Sequence, residues 1–422
     1  MLTHLRLRDF KSFDDATLHI GPFTVIVGAN ASGKSNIRDA FRFIQGVGRG
    51  YTLAEIIGGK YGQGGQSEWA PIRGAARELI RFGEDSFQLE VGIRVRNAHY
   101  VYKIQVQEDE SAKIGFRVVF ESLGTSYRTI YTSSPDGDDP VSLQAEDNHL
   151  LLRMEKTGEQ KRYGLRISPR DDQPALTQVL DFQRVARMHK DLVTIIADEF
   201  EGIRFLDLSP ELMRRPSFPG QNILGDNGEN LPTVLQGICQ DPSKERTLYE
   251  WIRELTPLDV SSLEFVQDPI TGLIQLAIRE QSGNVISAYS ASDGTLRFLA
   301  MLAALLGDDP AGFYFFEELD NGIHPARLKL LADLIENVTS ARKTRVVTTT
   351  HSPELLAMIS PETFDDLSVV YRLPGKSFAE IRRSGDVPRL KEVASTQSVA
   401  RLLTGGWFED SLSLSEGRVS DR

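Results

Sequence analysis

Gly28-Ala29-Asn30-Ala31-Ser32-Gly33-Lys34-Ser35 is a complete phosphate-binding loop, and its flanks are the ones such a loop requires. Upstream, Phe23-Thr24-Val25-Ile26-Val27 is a short apolar run that reads as a buried strand. Downstream, Ile37, Ala40, Phe41 and Ile44 recur at the i, i+3, i+4, i+7 spacing of an amphipathic helix. The glycines let backbone N–H groups approach a phosphate, and the helix N-terminus adds its partial positive charge. Lys34 is placed to reach β- and γ-phosphates, Ser35 to ligate Mg²⁺, and Asn36 continues the first turn. Strand, glycine loop and helix in this order predict a site for a nucleoside triphosphate and Mg²⁺.

Composition narrows the remainder. A chain of 422 residues accommodates two or three domains, or one large domain carrying an insertion. With 40% hydrophobic and 25% charged residues it reads as a soluble globular protein. A net charge of −11 does not advertise a nucleic-acid binder, although a local basic groove on an oligomer stays compatible with it. The single cysteine, Cys239, excludes an internal disulfide and a multi-cysteine zinc site, and it suits a reducing cytosol. The opening residues alternate like a strand rather than a signal peptide, and the longest apolar run, 298–306, is too short to span a bilayer. A cytoplasmic protein with no membrane segment is expected.

Three further stations follow. Tyr289-Ser290-Ala291-Ser292-Asp293-Gly294-Thr295 leads into the apolar helix 298–306, so Ser292, Asp293 and Gly294 open a second helix N-terminus suited to an anion. Ser292 or Asp293 serves equally well there as an ordinary N-cap. Next, Phe313-Tyr314-Phe315-Phe316 ends in Glu317 and Glu318, followed by a turn and by Pro325 at a helix start. Ligands of open α/β sheets bind at that strand edge. Glu317 is placed to hold Mg²⁺, and Glu318 to orient and deprotonate a water. Last, Arg345-Val346-Val347-Thr348-Thr349-Thr350 delivers His351 at a strand end, where an imidazole senses a γ-phosphate.

In this combination the chain resembles the ABC-type ATPase heads of the RecF, SMC and OLD group. The stretch Leu5-Arg6-Leu7-Arg8-Asp9-Phe10-Lys11-Ser12-Phe13 is similar to that group's first strand and its Phe-Lys-Ser element. The nearest likeness is to stand-alone prokaryotic AAA/ABC-like ATPases, several of them from anti-phage or toxin-like systems. It covers roughly residues 1–50 and 256–375. It implies an α/β P-loop fold with a mixed sheet; it says little about residues 51–255, whose own pattern predicts an antiparallel β subdomain and a compact, mainly helical insertion. It also implies a head-to-tail homodimer with ATP between the copies. Lys34 and Ser35 of one copy would bind phosphate and Mg²⁺ while Ser292 and Gly294 of the other cap the γ-phosphate. Glu318 would be the general base, Asp320 a contact across the interface and His351 the switch. Lys11 and Ser12 would lie near the base or ribose.

Departures from the group are informative. Glu317 stands where aspartate is usual, and Ala291 and Asp293 replace the leucine and glycine of transporter signatures, favouring the RecF/SMC-like branch. Gln63, Gln66 and Gln88 are equal candidates for the glutamine loop. Residues 46–75, rich in glycine, read as a mobile loop. From Phe87 to Val106, Leu89, Val91, Ile93 and Val95 and then Tyr100, Tyr102, Ile104 and Val106 alternate, predicting a hairpin joined at Asn97-Ala98, with strands again near 116–120 and 165–167. Residues 175–204 and 229–255 read as helical, and no heptad run supports a long coiled coil. A final helix to about 403 is expected. The expected division is 1–170 (first part of the head with the β subdomain), 171–255 (helical lid), 256–405 (second part of the head) and 406–422 (polar tail). No Toprim nuclease domain fits after it, and Asp365-Asp366 and Glu409-Asp410 read as solvated acid pairs.

Three functions follow. The first is an ATPase switch controlling a separate effector, such as a nuclease or toxin in antiviral defence. The second is a RecF-like ATPase binding DNA across the dimer. The third is a scaffold that uses ATP structurally.

Overall fold

The computed structural model describes residues 1–386 except 111–114, 134–147, 156–163, 256–259, 308–309, 343 and 374. The expected final helix, the polar tail and Glu409-Asp410 lie outside the described residues, as does all but the first residue of the polar, acidic stretch 133–147. The chain forms two compact units. One comprises Met1–Ile20, Gly28–Ile203 and Ser368–Asp386. The other contains Gly21–Val27 and Arg204–Leu367.

The first unit is built on an eight-stranded sheet. Its central strands, Leu2–Phe10, Ser86–Val95, Ala98–Glu108 and Phe116–Gly124, pair antiparallel. The predicted hairpin is present, with a turn at Arg96-Asn97 rather than Asn97-Ala98. Val95 still pairs with Ala98, and Arg96 takes the left-handed φ of 52° that a two-residue turn needs. Helix Lys34–Gly48 turns Ile37, Phe41, Ile44 and Val47 into the core. It lies against helix Arg187–Glu201 so closely that a Cβ on Gly48 would sit 2.4 Å from Glu201 N, which is why that position is glycine. Glu121 is wholly buried, accepts from Ala175 N at 2.6 Å and Tyr131 Oη at 2.9 Å, and is pushed up to about 7 by burial.

Two expectations change here. Residues 46–75 carry regular elements as well as loop: Thr52 and Glu55 form a capping box that starts helix Leu53–Gly58, and strands Lys60–Tyr61 and Ser67–Trp69 pair beyond it. Trp69 is 1% exposed, donates to Ile56 O and lies under Arg42. That indole supplies the burial that the glycines obscured. The helical reading of 175–204 is interrupted, since Ala175–Gln178 and Arg187–Glu201 are separate helices and Ile203 already belongs to strand Ile203–Leu206.

In the second unit, strands Phe313–Phe316, Arg345–Thr350 and Phe23–Val27 are adjacent and parallel. All five residues of Phe23–Val27 are buried, as expected of a strand covered on both faces. Helix Asp293–Leu306 buries every residue from Phe298 onward. Tyr314 ties the sheet to it by donating to Ala304 O at 2.8 Å. A separate three-stranded antiparallel sheet comprises Val260–Gln267, Ile274–Glu280 and Val285–Ser287. Helices Leu231–Cys239 and Pro242–Leu255 match the helical reading of 229–255. Burial pushes the Cys239 thiol up to about 12, which leaves it unreactive. Among the described residues the longest helix, Pro325–Ala341, has 17 residues, and none is long and apolar enough to cross a membrane.

Candidate functional site

The phosphate loop belongs to the first unit. Its shape depends on backbone that side chains would block. A Cβ on Gly28 would lie 2.1 Å from Val370 O, and one on Gly33, at φ 114°, 2.8 Å from Ser12 Oγ. Ala31 also takes a positive φ, 62°. Gly33 is the N-cap of helix Lys34–Gly48 and offers no side-chain acceptor. The Lys34 ammonium curls over the loop, donating to Gly28 O at 2.7 Å and Ala29 O at 2.8 Å. Ser32 Oγ is buried without a hydrogen-bond partner, and Ser35 is exposed at the helix start. Glycines at the close approaches, a cation over the loop, a hydroxyl at its end and an orphaned buried oxygen all fit a phosphate chain with Mg²⁺.

Beside the loop, Asn36 Nδ2 donates to Ser12 Oγ at 2.8 Å, and Ala379 N to Ser12 O at 2.7 Å. Lys11 is committed elsewhere. Its ammonium donates to Asp39 Oδ2 at 2.5 Å and to Arg73 O at 2.8 Å, with Asp39 buried and Lys11 half-buried. Lys11, Ser12, Asn36, Arg81, Phe82 and Arg372 line a cleft of about 360 Å³, within the size range of small-ligand pockets. Of the glutamine-loop candidates, Gln88 accepts from Arg8 on the sheet, while Gln63 and Gln66 are exposed. None of the three is singled out.

The other predicted residues belong to the second unit. Sheet register pairs Phe316 with Thr348 and Thr350 with Val27, so the three parallel strands end on one edge. The chain leaves those ends as Glu317-Glu318, as His351 and as Gly28. Glu317 is half-buried, and Glu318 and His351 are exposed. Glu318 takes a left-handed φ of 49°, a strained conformation for a residue with a side chain. Glu318 N donates to Thr349 Oγ1 at 3.1 Å, which holds the strained residue in place. Asp320 accepts from Thr350 Oγ1 at 2.6 Å, and the same hydroxyl accepts from Ser352 N at 2.9 Å. Thr350 therefore links the turn after the carboxylates to the residues on either side of His351.

The Ser292-Asp293-Gly294 turn caps its own helix: Ser292 Oγ accepts from Thr295 N at 3.2 Å. A Cβ on Gly294 would lie 2.2 Å from Gly322 O, so the helix start and the turn after Asp320 touch backbone to backbone. Asp293 Oδ1 accepts from Arg214 Nη2 at 2.6 Å. Thr349 and Thr350 escaped the sequence reading, although a run of three threonines before a strand-end histidine was a visible sign of hydroxyls aimed at neighbours. For Arg214 the sequence carries no sign, because its partner is 79 positions away.

The family described as "AAA domain, putative AbiEii toxin, Type IV TA system" matches residues 23–357. No curated protein matches the chain in sequence. Among solved structures, an SMC head bound to the C-winged helix domain of ScpA is 16% identical, with 90% of this chain and 97% of that one covered at a TM-score of 0.51. The SMC head domain from Thermotoga maritima is 14% identical over 90% of this chain and 98% of its own, with a TM-score of 0.45. A Pyrococcus furiosus Smc head with an extended coiled coil, bound to the C-terminal domain of ScpA, is 17% identical over 93% and 99%, with a TM-score of 0.47. Only the first of the three is close enough to support the fold, and it supports an α/β P-loop NTPase of the ABC type. With the match spanning the loop, the Ser292–Gly294 turn, the paired carboxylates and the strand-end histidine, the chain belongs to this AAA-domain family.

Proposed function

We propose that this chain is a Mg²⁺-dependent ATP-binding and hydrolysing switch that pairs head-to-tail with a second copy and controls a separate effector protein. The observation that carries the reading is the common edge of three parallel strands. Each strand hands over to a group the reaction uses: the phosphate loop after Val27, the carboxylates after Phe316 and the histidine after Thr350.

Phosphoryl transfer is catalysed mainly by positioning and charge stabilisation, and the residues divide that work. The loop amides and Lys34 hold the β- and γ-phosphates. Ser35 and Glu317 would hold Mg²⁺, which when bound offsets charge on the transferred phosphoryl oxygens. Glu318 takes a proton from the attacking water, with its backbone fixed by Thr349. His351 contacts the γ-phosphate, and Thr350 passes its position to Asp320 at the surface facing the second copy. Ser292 and Gly294 of the partner subunit cap the γ-phosphate. Ser12 and Asn36 border the ribose and base, while Lys11 shapes that cleft through Asp39 rather than touching the nucleotide.

ATP thereby joins the copies and hydrolysis releases them. An SMC head of the same fold is found with a domain of a separate protein, ScpA, which supports a protein effector for this chain. The family's toxin-system description favours a defence role. The test is the solution mass of Glu318→Gln with and without ATP and Mg²⁺. An ATP-dependent doubling is expected. Bound ATP with no change of mass overturns the sandwich, and an assembly already present without nucleotide replaces the switch with a standing scaffold.

A further inference from the structure

The signature turn carries a carboxylate where the proposed reaction brings in a phosphate. Asp293 is the first residue of helix Asp293–Leu306, between Ser292 and Gly294, and its side chain is 66% exposed. An uncompensated anion at that point repels an approaching γ-phosphate. Arg214, which closes the short helix Pro210–Met213, answers the charge. Its Nη2 donates to Asp293 Oδ1 at 2.6 Å and to Ala291 O at 3.0 Å, so one guanidinium nitrogen holds the residues on both sides of Ser292. On the opposite flank Gly294 rests against the Gly322 carbonyl. The turn is gripped from two sides, by the Arg214 guanidinium on one and by the Gly322 backbone, with the Arg297 side chain against it, on the other.

We propose that Arg214 is a positioning residue of the ATPase. It draws the Asp293 carboxylate aside, cancels its charge and holds Ala291–Gly294 in the shape that receives a phosphate bound by the second copy. This rests on the ATP-sandwich reading above and names what makes an acidic signature compatible with it. Ion pairs as exposed as this one contribute little to folding, so its worth lies in where it puts charge.

The experiment compares wild type, Arg214→Gln and Arg214→Gln/Asp293→Asn for ATP affinity, ATP-dependent association in the Glu318→Gln background, turnover and thermal midpoint. Arg214→Gln is expected to keep ATP affinity and the midpoint, because the phosphate loop and the core are untouched. Association and turnover should fall by roughly 10- to 100-fold, the size of one uncompensated charge near a phosphate. Adding Asp293→Asn should restore most of both. An Arg214→Gln chain that associates and turns over like wild type overturns the role of Arg214 alone. A double variant no better than the single one also overturns it, since a purely structural arginine is not rescued by removing the aspartate's charge. A wild type that binds ATP without associating removes the sandwich itself, and the role of Arg214 with it.

Discussion

Two helices in this chain begin at glycine-containing turns, and they treat their free amides in opposite ways. Every helix starts with four N–H groups that lack an intrahelical acceptor. At Lys34–Gly48 the N-cap is Gly33, which supplies none, and Lys34 is turned back over the loop. At Asp293–Leu306 the N-cap is Ser292, whose hydroxyl takes Thr295 N, and an aspartate follows it. A side-chain cap is worth about 1 kcal/mol, so the first helix forgoes stability that the second keeps. A terminus left open in this way suits an external anion. A terminus already capped lends a hydroxyl and a few amides to a phosphate held elsewhere. On the proposed reading the first binds by itself and the second completes a site.

That contrast can be broken most directly at Lys34. Lys34→Ala should abolish ATP binding measured by calorimetry, because no other cation lies over the loop carbonyls in the described structure of that turn. Retained tight binding would end the assignment of the loop. Glu318→Gln should keep ATP affinity and slow turnover by roughly 10²- to 10⁴-fold, the usual range for losing a general base. An unchanged rate would move the base to another group.

The signature side should respond through geometry and capping. Gly294→Ala puts a methyl 2.2 Å from Gly322 O, a clash with backbone that no rotamer relieves. Overpacking of this kind costs about 1–3 kcal/mol, and ATP-dependent association should weaken while ATP affinity stays. Ser292→Ala removes a cap, with an expected loss of about 1 kcal/mol read from chemical denaturation. The matched change at the loop, Ser32→Ala, deletes a buried hydroxyl that bonds to nothing and should alter stability by less than about 0.5 kcal/mol. Equal losses at the two serines would erase the distinction between an open and a self-capped terminus.

Legibility in the sequence followed the range of the interactions. The loop and its flanks are contiguous, so Phe23–Val27 and Lys34–Gly48 were readable from periodicity alone. The hairpin of Ser86–Val95 and Ala98–Glu108 was readable because one face is buried and a register slip would expose it. Residues 46–75 misled because glycine frequency is a local signal, whereas Trp69 is buried against Ile56 and Arg42 by packing. The Thr52–Glu55 capping box in the same stretch was a signal available and unused. The motif places Lys11 near the nucleotide but carries no sign of its ion-pair partner, Asp39, 28 positions on.

The amino-acid sequence by itself marked the candidate groups of the proposed site: the loop with Lys34 and Ser35, the signature turn, Glu317, Glu318 and His351. It could do so because each sits at the end of a locally encoded strand or the start of a locally encoded helix. Only the tertiary structure decided how they are held. Strand register brings the three ends to one edge, Thr350 reaches Asp320 across 30 positions, and Arg214 reaches Asp293 across 79. Such contacts come from packing elements that are distant in the chain, and no spacing along the sequence records them.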